Sequence, residues 1–228
     1  MKVGTSGFIY KNWVGCFYPP ELPKSKYLEY YSKHFNTLEL NSTFYKTPKD
    51  STFKSWKYKL KKLNLSLSIK ANRLITHTYR LKNIEIANEF VKKAKLVEKL
   101  ECILFQLPPS LKFDEVLIKE FVSGLIECKY AIEFRNKSWY NDKTYEILNS
   151  KNISMVAHDF NQNFFLKQTA DFVYIRLHGS KGKYIGSYSD DFLKKISIYE
   201  GFCYFNNTDD CSAPFDAMRL KKMVEGIK

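Results

Sequence analysis

The chain has 228 residues, 44% of them hydrophobic, which suits a globular protein with a sizeable core. No segment is long and apolar enough to cross a bilayer, and the first residues lack the apolar run of a signal peptide. We therefore expect a cytoplasmic protein with no membrane partner. The net charge of +13 would attract polyanions, but many lysines fall on probable outer helix faces, as in residues 54–63 and 91–99.

The five cysteines are odd in number and scattered, and no CxxC pair occurs among them: Cys16, Cys102, Cys128, Cys203 and Cys211. This spacing predicts reduced thiols and neither a disulfide framework nor a zinc knuckle.

Eight β-rich runs recur along the chain, and amphipathic helical patterns separate most of them. The runs cover residues 2–8, 37–42, 65–72, 102–109, 130–135, 153–159, 172–179 and 201–207. Strands that alternate with helices predict a parallel sheet. Eight such units, with no linker between them, predict an α/β protein with a single (β/α)8 TIM-type barrel domain over residues 1–228.

An open, doubly wound sheet is the alternative. It has less support, because "GTSGF" at residues 4–8 is not a GxGxxG fingerprint and no GxxxxGK[ST] loop occurs.

The helical patterns have recognisable starts and apolar faces. Phe53 and Leu60 belong to one apolar face, and Thr47 before Pro48 predicts the N-cap of that helix. Another helix is predicted to begin near Asp114, and the last to cover residues 213–224. The connection between the sixth and seventh runs, residues 160–171, is short, so we expect its helix to be degenerate or absent.

Charged and polar side chains close almost every predicted strand. Parallel strands are normally apolar on both faces, so these exceptions need a reason. Period two places Glu39 with Asn41, Glu133 with Arg135, and Arg176 with His178 on shared faces. Further polar strand ends are Lys70, Gln106, His158, Asp159, Asn206 and Asn207. In a barrel these side chains would converge on the C-terminal mouth, where such enzymes hold their sites.

Two other interpretations of these residues remain open. A buried ion network could serve only to fix strand register, although buried pairs are poor sources of stability. The histidines and carboxylates could instead hold a divalent metal, but no HxH or HxxxH motif occurs and nearby cations would repel the ion. The sequence therefore leaves open whether a metal or a cofactor is bound.

The loops after the strands add weaker signals. "HGSKGKYIGSYS" at residues 178–189, with Gly179 and Lys181, follows the seventh strand, where barrels often bind phosphate; a surface lid is the alternative. Trp13 and Tyr45, in the loops after the first two strands, could stack on a base or sugar, or simply pack.

The motifs "GTSGF", "LELNSTFYKTP", "IKANRLITH", "LFQLPPS", "EFRNKSW", "YIRLHG" and "YFNN" appear in this order over nearly the whole chain. Together they resemble the YecE-like family, also called domain of unknown function 72. The resemblance implies a TIM-type barrel and no particular reaction. Its motif positions add His77 to the candidate site and include Glu39, Asn41, Tyr45, Lys70, Gln106, Glu133, Arg135, Asp159, Arg176, His178, Gly179, Asn206 and Asn207.

Three functions are compatible with these observations. The first is an enzyme, a hydrolase or isomerase, acting on a phosphorylated or sugar-like anion, with Glu133 and Glu39 as acid and base. Arg135, Arg176 and Lys70 would bind the anion, and His77 or His178 would carry a second proton. The second is a barrel that binds or processes nucleic acid. The third is a non-catalytic scaffold that binds a ligand. The sequence assigns no oligomeric state.

Overall fold

Eight parallel strands form one continuous sheet in the part of the chain that is described. The computed structural model describes residues 1–160 and 163–226. The strands are β1 (Lys2–Thr5), β2 (Thr37–Leu40), β3 (Ser66–Lys70), β4 (Leu100–Gln106), β5 (Tyr130–Glu133), β6 (Ser154–His158), β7 (Val173–Leu177) and β8 (Gly201–Phe205). Their order is β1-β8-β7-β6-β5-β4-β3-β2. From β2 to β8 each strand therefore pairs with the next strand in sequence, and β1 pairs with β8.

The sheet closes where β1 meets β2. Ser6 forms a parallel bridge with Glu39, and the backbone N–H of Gly7 donates to the Glu39 carbonyl at 2.8 Å. Gly4 permits this approach, because a Cβ atom there would lie 2.3 Å from the carbonyl oxygen of Thr37. The prediction of a (β/α)8 barrel is confirmed.

Helices occupy most of the connections. They are α1 (Tyr27–His34), α2 (Ser42–Tyr45), α3 (Asp50–Lys62), α4 (Ile84–Ala94), α5 (Glu115–Gly124), α6 (Asp142–Ser150), α7 (Asp190–Ser197) and α8 (Ser212–Gly226). Residues 159–160 and 163–172, the described part of the sixth connection, contain no helix, as expected from its short length. None of the helices in the described ranges is long and apolar enough to span a membrane.

The start of α3 differs from the prediction, whereas the start of α5 agrees with it. Thr47 is not the cap: α3 begins at Asp50, and its N-cap is Lys49, whose side chain makes no capping bond. The chain is extended at Lys49, so the proline lies before the helix and not in its first turn. Asp114, in contrast, accepts a hydrogen bond from the Leu117 N–H at 3.0 Å.

The two N-cap positions form a matched pair for measurement. We expect Asp114→Ala to lower the free energy of unfolding by about 1 kcal/mol, because it leaves an N–H of the first turn without its acceptor. Lys49→Ala removes no capping bond and should leave stability almost unchanged. Urea denaturation followed by circular dichroism measures both; equal effects of the two substitutions would contradict the capping role of Asp114.

The expectation for the cysteines is wrong at two positions. Cys16 and Cys211 form a disulfide, whereas Cys102, Cys128 and Cys203 are free thiols. The pair links the loop after β1 to the residue before α8. These segments meet because β1 and β8 are neighbours in the closed barrel.

Candidate functional site

The side chains that close the strands point into the barrel. Four residues lie two positions before a polar strand end, on the same face of the strand: Leu104 before Gln106, Ala131 before Glu133, Val156 before His158 and Tyr174 before Arg176. All four belong to one buried cluster, which also contains Cys102, Ala170, Phe172, Phe202 and Tyr204. Side chains alternate across a strand, so the residues two positions further on continue this inward face toward the C-terminal mouth. The polar site therefore lies directly above an apolar floor.

Arg176 is the centre of a buried ion network. Its side chain is 2% exposed, and its Nε and Nη2 donate to the Glu39 carboxylate at 2.9 and 2.8 Å. Its Nη1 donates to Oε2 of Glu133 at 2.5 Å, and its Nη2 also donates to the Ser6 hydroxyl at 3.1 Å. Burial alone would lower the pKa of Arg176, but Glu39 and Glu133 outweigh it and raise the pKa above its usual value.

Each carboxylate of the network is held by cations or hydroxyls. Glu39 also accepts hydrogen bonds from Ser6 and from the Tyr174 hydroxyl, the latter at 2.7 Å. Glu133 pairs with Arg135 as well as Arg176. Although burial would raise the pKa of Glu133, the two guanidinium groups hold it well below its usual range. Glu133 is therefore a poor proton donor, and these contacts do not support the acid or base role expected for it.

His178 is fixed in the neutral form. Its backbone N–H and its Nδ1 contact Oδ1 of Asp159 at 2.6 and 3.2 Å, and Arg135 donates to its Nε2 at 3.2 Å. Burial lowers the pKa of His178 to about 4, with Arg176 and Arg135 acting in the same direction. Asp159 also accepts from the Tyr188 hydroxyl. With its pKa lowered to about 4, the imidazole of His178 is uncharged at neutral pH, and it contacts Asp159 on one side and Arg135 on the other.

Arg135 is the least satisfied cation of the site. Its side chain is 7% exposed, and its guanidinium carbon lies 3.7 Å from the centre of the Phe160 ring. Nη2 contacts Glu133 and His178, but Nε and Nη1 are buried and have no hydrogen-bond partner among the described residues. Burying two N–H groups without an acceptor costs free energy, so a ligand oxygen that accepted a hydrogen bond from either would be stabilised.

Lys70 is the other cation at the mouth. Its Nζ donates to Oε1 of Gln106 at 2.6 Å and lies 4.1 Å above the centre of the Phe44 ring. No carboxylate of the described chain forms an ion pair with it. Burial lowers the pKa of Lys70 to about 8, and Arg176 contributes to this shift.

These groups border a cavity of about 440 Å³ at the mouth. Its lining consists of Tyr10, Asn41, Phe44, Tyr45, Lys70, Gln106, Arg135, Arg176, Tyr184, Asn206, Thr208 and Asp209. The volume is within the range of small-molecule sites. Of the residues predicted from the sequence, Asn41, Tyr45, Lys70, Gln106, Arg135, Arg176 and Asn206 line it; Tyr45 is 77% exposed at its edge.

Several predicted residues lie elsewhere. Trp13 is fully buried against Phe17 and Tyr18, and its indole N–H donates to the Thr208 carbonyl at 3.3 Å, so it offers no ring face to a ligand. Asn207 is buried and donates to Asp216 at 2.8 Å, which ties the end of β8 to α8. His77 lies behind the cavity wall, with its ring against Phe44.

The loop of residues 178–189 does not present a phosphate cradle. Gly179 donates its backbone N–H to the Tyr188 hydroxyl at 2.6 Å, and Lys181 donates its own to the Ile185 carbonyl at 3.1 Å. The N–H of Gly186 donates to Asp210 at 2.7 Å. These three backbone groups already have acceptors, which does not favour the predicted phosphate contact at Gly179 and Lys181.

The sequence interpretation missed part of the site. Ser6, Tyr174, Tyr184, Thr208 and Asp209 contact the network or line the cavity. Period two could have indicated Tyr174, which is two residues before Arg176 on the same face. As for a metal, the described residues contain no group of three or more His, Cys, Asp or Glu side chains arranged to hold one.

The fold and the site define a class: a (β/α)8 barrel with a buried arginine–carboxylate network beneath a polar mouth. The sequence model of the family "Protein of unknown function DUF72" matches residues 2–227. The chain belongs to this DUF72, or YecE-like, family, and the resemblance noted in the sequence is confirmed.

One curated relative and two solved structures illustrate the similarity. The UPF0759 protein YunF of Bacillus subtilis is 32% identical over 144 residues, and the match covers 57% of this chain and about half (49%) of that relative. The crystal structure of a DUF72 family protein from Thermotoga maritima superimposes with a TM-score of 0.80, 26% identity and 98% coverage of both chains. A D-psicose 3-epimerase of Clostridium cellulolyticum shares the fold alone, with a TM-score of 0.65, 11% identity, and 100% and 99% coverage.

Proposed function

We propose that the protein is an enzyme that binds a small phosphorylated or sugar-like anion in the mouth cavity and acts on it by proton transfer. The observation that carries the proposal is at Arg135, a residue of the cavity lining, whose Nε and Nη1 are buried without a hydrogen-bond partner among the described residues. Phosphate and carboxylate oxygens are strong acceptors for guanidinium N–H groups.

One cation at the cavity favours an anion. The charged side chains that line the cavity are Lys70, Arg135, Arg176 and Asp209, and Glu39 and Glu133 pair with the two arginines. Lys70 has no carboxylate partner among the described residues, and a ligand anion would supply one. Arg176 has its donors occupied by Glu39, Glu133 and Ser6, and its role is therefore to position the carboxylates. Arg135 and Lys70 are the groups that would touch the ligand.

Lys70 replaces Glu133 as the proton-transferring group in this proposal. A pKa of about 8 lets the amine exist in both protonation states near neutral pH, which acid–base catalysis requires. Glu133, Glu39 and His178 would hold the arginines in place. The nucleic-acid and scaffold alternatives remain, but the first rests on the net charge and the exposed ring of Tyr45 alone.

Calorimetric titration with inorganic phosphate and with ribose 5-phosphate tests the binding step. We expect Arg135→Gln to weaken binding of both at least tenfold, about 1.4 kcal/mol, because charge-assisted hydrogen bonds are lost. Uncharged ribose should bind the unaltered protein more weakly than ribose 5-phosphate.

Lys129→Gln is the matched control, because it removes one positive charge from the start of β5, away from the mouth. It should leave both affinities unchanged. If Arg135→Gln and Lys129→Gln have the same effect, or neither anion binds, the proposal is wrong. Salt-dependent binding of a single-stranded oligonucleotide, unaffected by Arg135→Gln, would favour the nucleic-acid alternative.

A further inference from the structure

Lys70 differs from the other cations of the network in its partners. Arg135 and Arg176 each contact a carboxylate, whereas the partners of the Lys70 amine among residues 1–160 and 163–226 are a neutral amide oxygen and an aromatic ring. A neutral acceptor stabilises an ammonium group less than a carboxylate does, so the amine can lose its proton at low cost.

Burial and the neighbouring charges together set the pKa of Lys70. Burial has the largest effect and lowers the pKa; Arg176 and Arg135 also lower it, whereas Glu133 and Glu39 raise it. His77, on the segment after β3, has its own pKa lowered by burial and then by Lys70. Both nearby carboxylates are held by arginines, so neither is free to pair with the amine.

The position of the amine is also suited to attack on a ligand. Lys70 ends β3, and its side chain shares the lining of the mouth cavity with Arg135. A ligand whose anionic group accepts a hydrogen bond from Arg135 would place its remaining atoms in the space that Lys70 borders. A lysine amine that is desolvated and near other cations is the kind that acts as a nucleophile toward carbonyl groups.

We propose that Lys70 is a catalytic nucleophile that forms an imine with a small phosphorylated or carboxylated aldehyde or ketone held by Arg135. This inference rests on the proposed function and names the substrate class as an anionic carbonyl compound. The neutral amine attacks the carbonyl carbon and forms a C–N bond, and a proton moves from nitrogen to oxygen to give a carbinolamine. A proton from solvent, equal to the one that the ammonium group released, then protonates the hydroxyl, which leaves as water as the nitrogen lone pair forms the C=N bond. In total, one neutral amine, one proton and one carbonyl give one iminium and one water.

Reduction with sodium borohydride in the presence of glyceraldehyde 3-phosphate tests the inference at pH 7. We expect one ligand per chain, located at Lys70 by peptide mass mapping. A neutral amine is on the order of a hundredfold more abundant at a pKa of about 8 than at the ordinary lysine value, so Lys70 should be modified about that much faster than an exposed lysine.

Variants separate Lys70 from the remaining lysines. Lys70→Arg and Lys70→Met should lose the single modification, and Lys54→Arg, on an exposed position of α3, should retain it. Circular dichroism checks that each variant folds. Because the mapping is done on the unaltered protein, the result does not depend on the Lys70 variants being folded.

The outcomes distinguish this inference from the proposed function. Phosphate binding by the unaltered protein, together with modification spread over surface lysines, would overturn the imine and leave anion binding in place. Modification of Lys70 that is equally fast with uncharged glyceraldehyde, and unaffected by Arg135→Gln, would support the nucleophile and overturn the anion. Modification of Lys70 that requires both the phosphate and Arg135 supports both.

Discussion

Replacing Arg176 with methionine is expected to lower the free energy of unfolding by about 3–5 kcal/mol. Arg176 is fully buried and contacts two carboxylates that are themselves inaccessible to solvent, so methionine would leave Glu39 and Glu133 with one cation between them. Such a loss is a large part of the stability of an ordinary domain. Urea denaturation followed by circular dichroism measures this loss in the free energy of unfolding. If the loss exceeds the stability of the unaltered protein, the variant will be partly unfolded without denaturant.

An exposed ion pair provides the control for this experiment. Nζ of Lys119 lies 2.7 Å from Oε1 of Glu115 on the exposed side of α5. Lys119→Met should change the free energy of unfolding by less than about 1 kcal/mol, because ion pairs at the surface contribute little to stability. Adding Glu39→Gln to Arg176→Met removes the carboxylate that is left without a cation and should recover part of the loss. If Arg176→Met costs no more than Lys119→Met, the network is not buried as described.

The strand ends could be recognised from the sequence because their pattern is simple. A parallel strand covered on both faces has no reason to carry charge, and period two alone places Glu133 with Arg135 and Arg176 with His178. In the structure these four side chains belong to one network. Strand period and barrel topology together therefore predict which residues meet.

The roles of these residues could not be predicted in the same way. Glu133 was expected to carry a proton and Lys70 to bind the anion, but each role depends on which partners lie within about 3 Å. Two arginines hold Glu133 as a carboxylate, whereas an amide leaves Lys70 free to change its protonation state. A sequence pattern predicts which face of the strand a side chain is on and how far along the barrel it lies. It does not predict which atoms that side chain will contact.

The loops were the least predictable part. An odd number of cysteines gives no information about whether any two meet, and Cys16 and Cys211 are 195 residues apart. Closure of the barrel was the available signal, because it places the loop after β1 beside the loop after β8. The same closure explains Trp13, whose indole donates to the Thr208 carbonyl and packs inside.

Stability should fall as the pH is lowered from 6.5 to 4, and His178 should account for about 3 kcal/mol of the change. Burial lowers the pKa of His178 from 6.5 to about 4, so the unfolded chain binds a proton in this window and the folded chain does not. The contribution is therefore fully present above pH 6.5 and is lost as the pH falls toward 4. The carboxylates Asp159 and Glu133 have lowered pKa values and lose their contributions at more acidic pH.

Urea denaturation at several pH values, with the His178→Asn variant beside the unaltered protein, isolates this effect. Asparagine keeps a donor near Asp159 and removes the titrating ring. Between pH 6.5 and 4 the variant should therefore lose about 3 kcal/mol less of its free energy of unfolding than the unaltered protein. His34→Asn is the control, because His34 is only partly buried on α1, faces Lys221 and Lys33, and lies outside the network. We expect it to change the slope less. Parallel pH profiles of the unaltered protein and His178→Asn would mean that His178 titrates alike in both states, and would contradict its burial as a neutral support of Arg135.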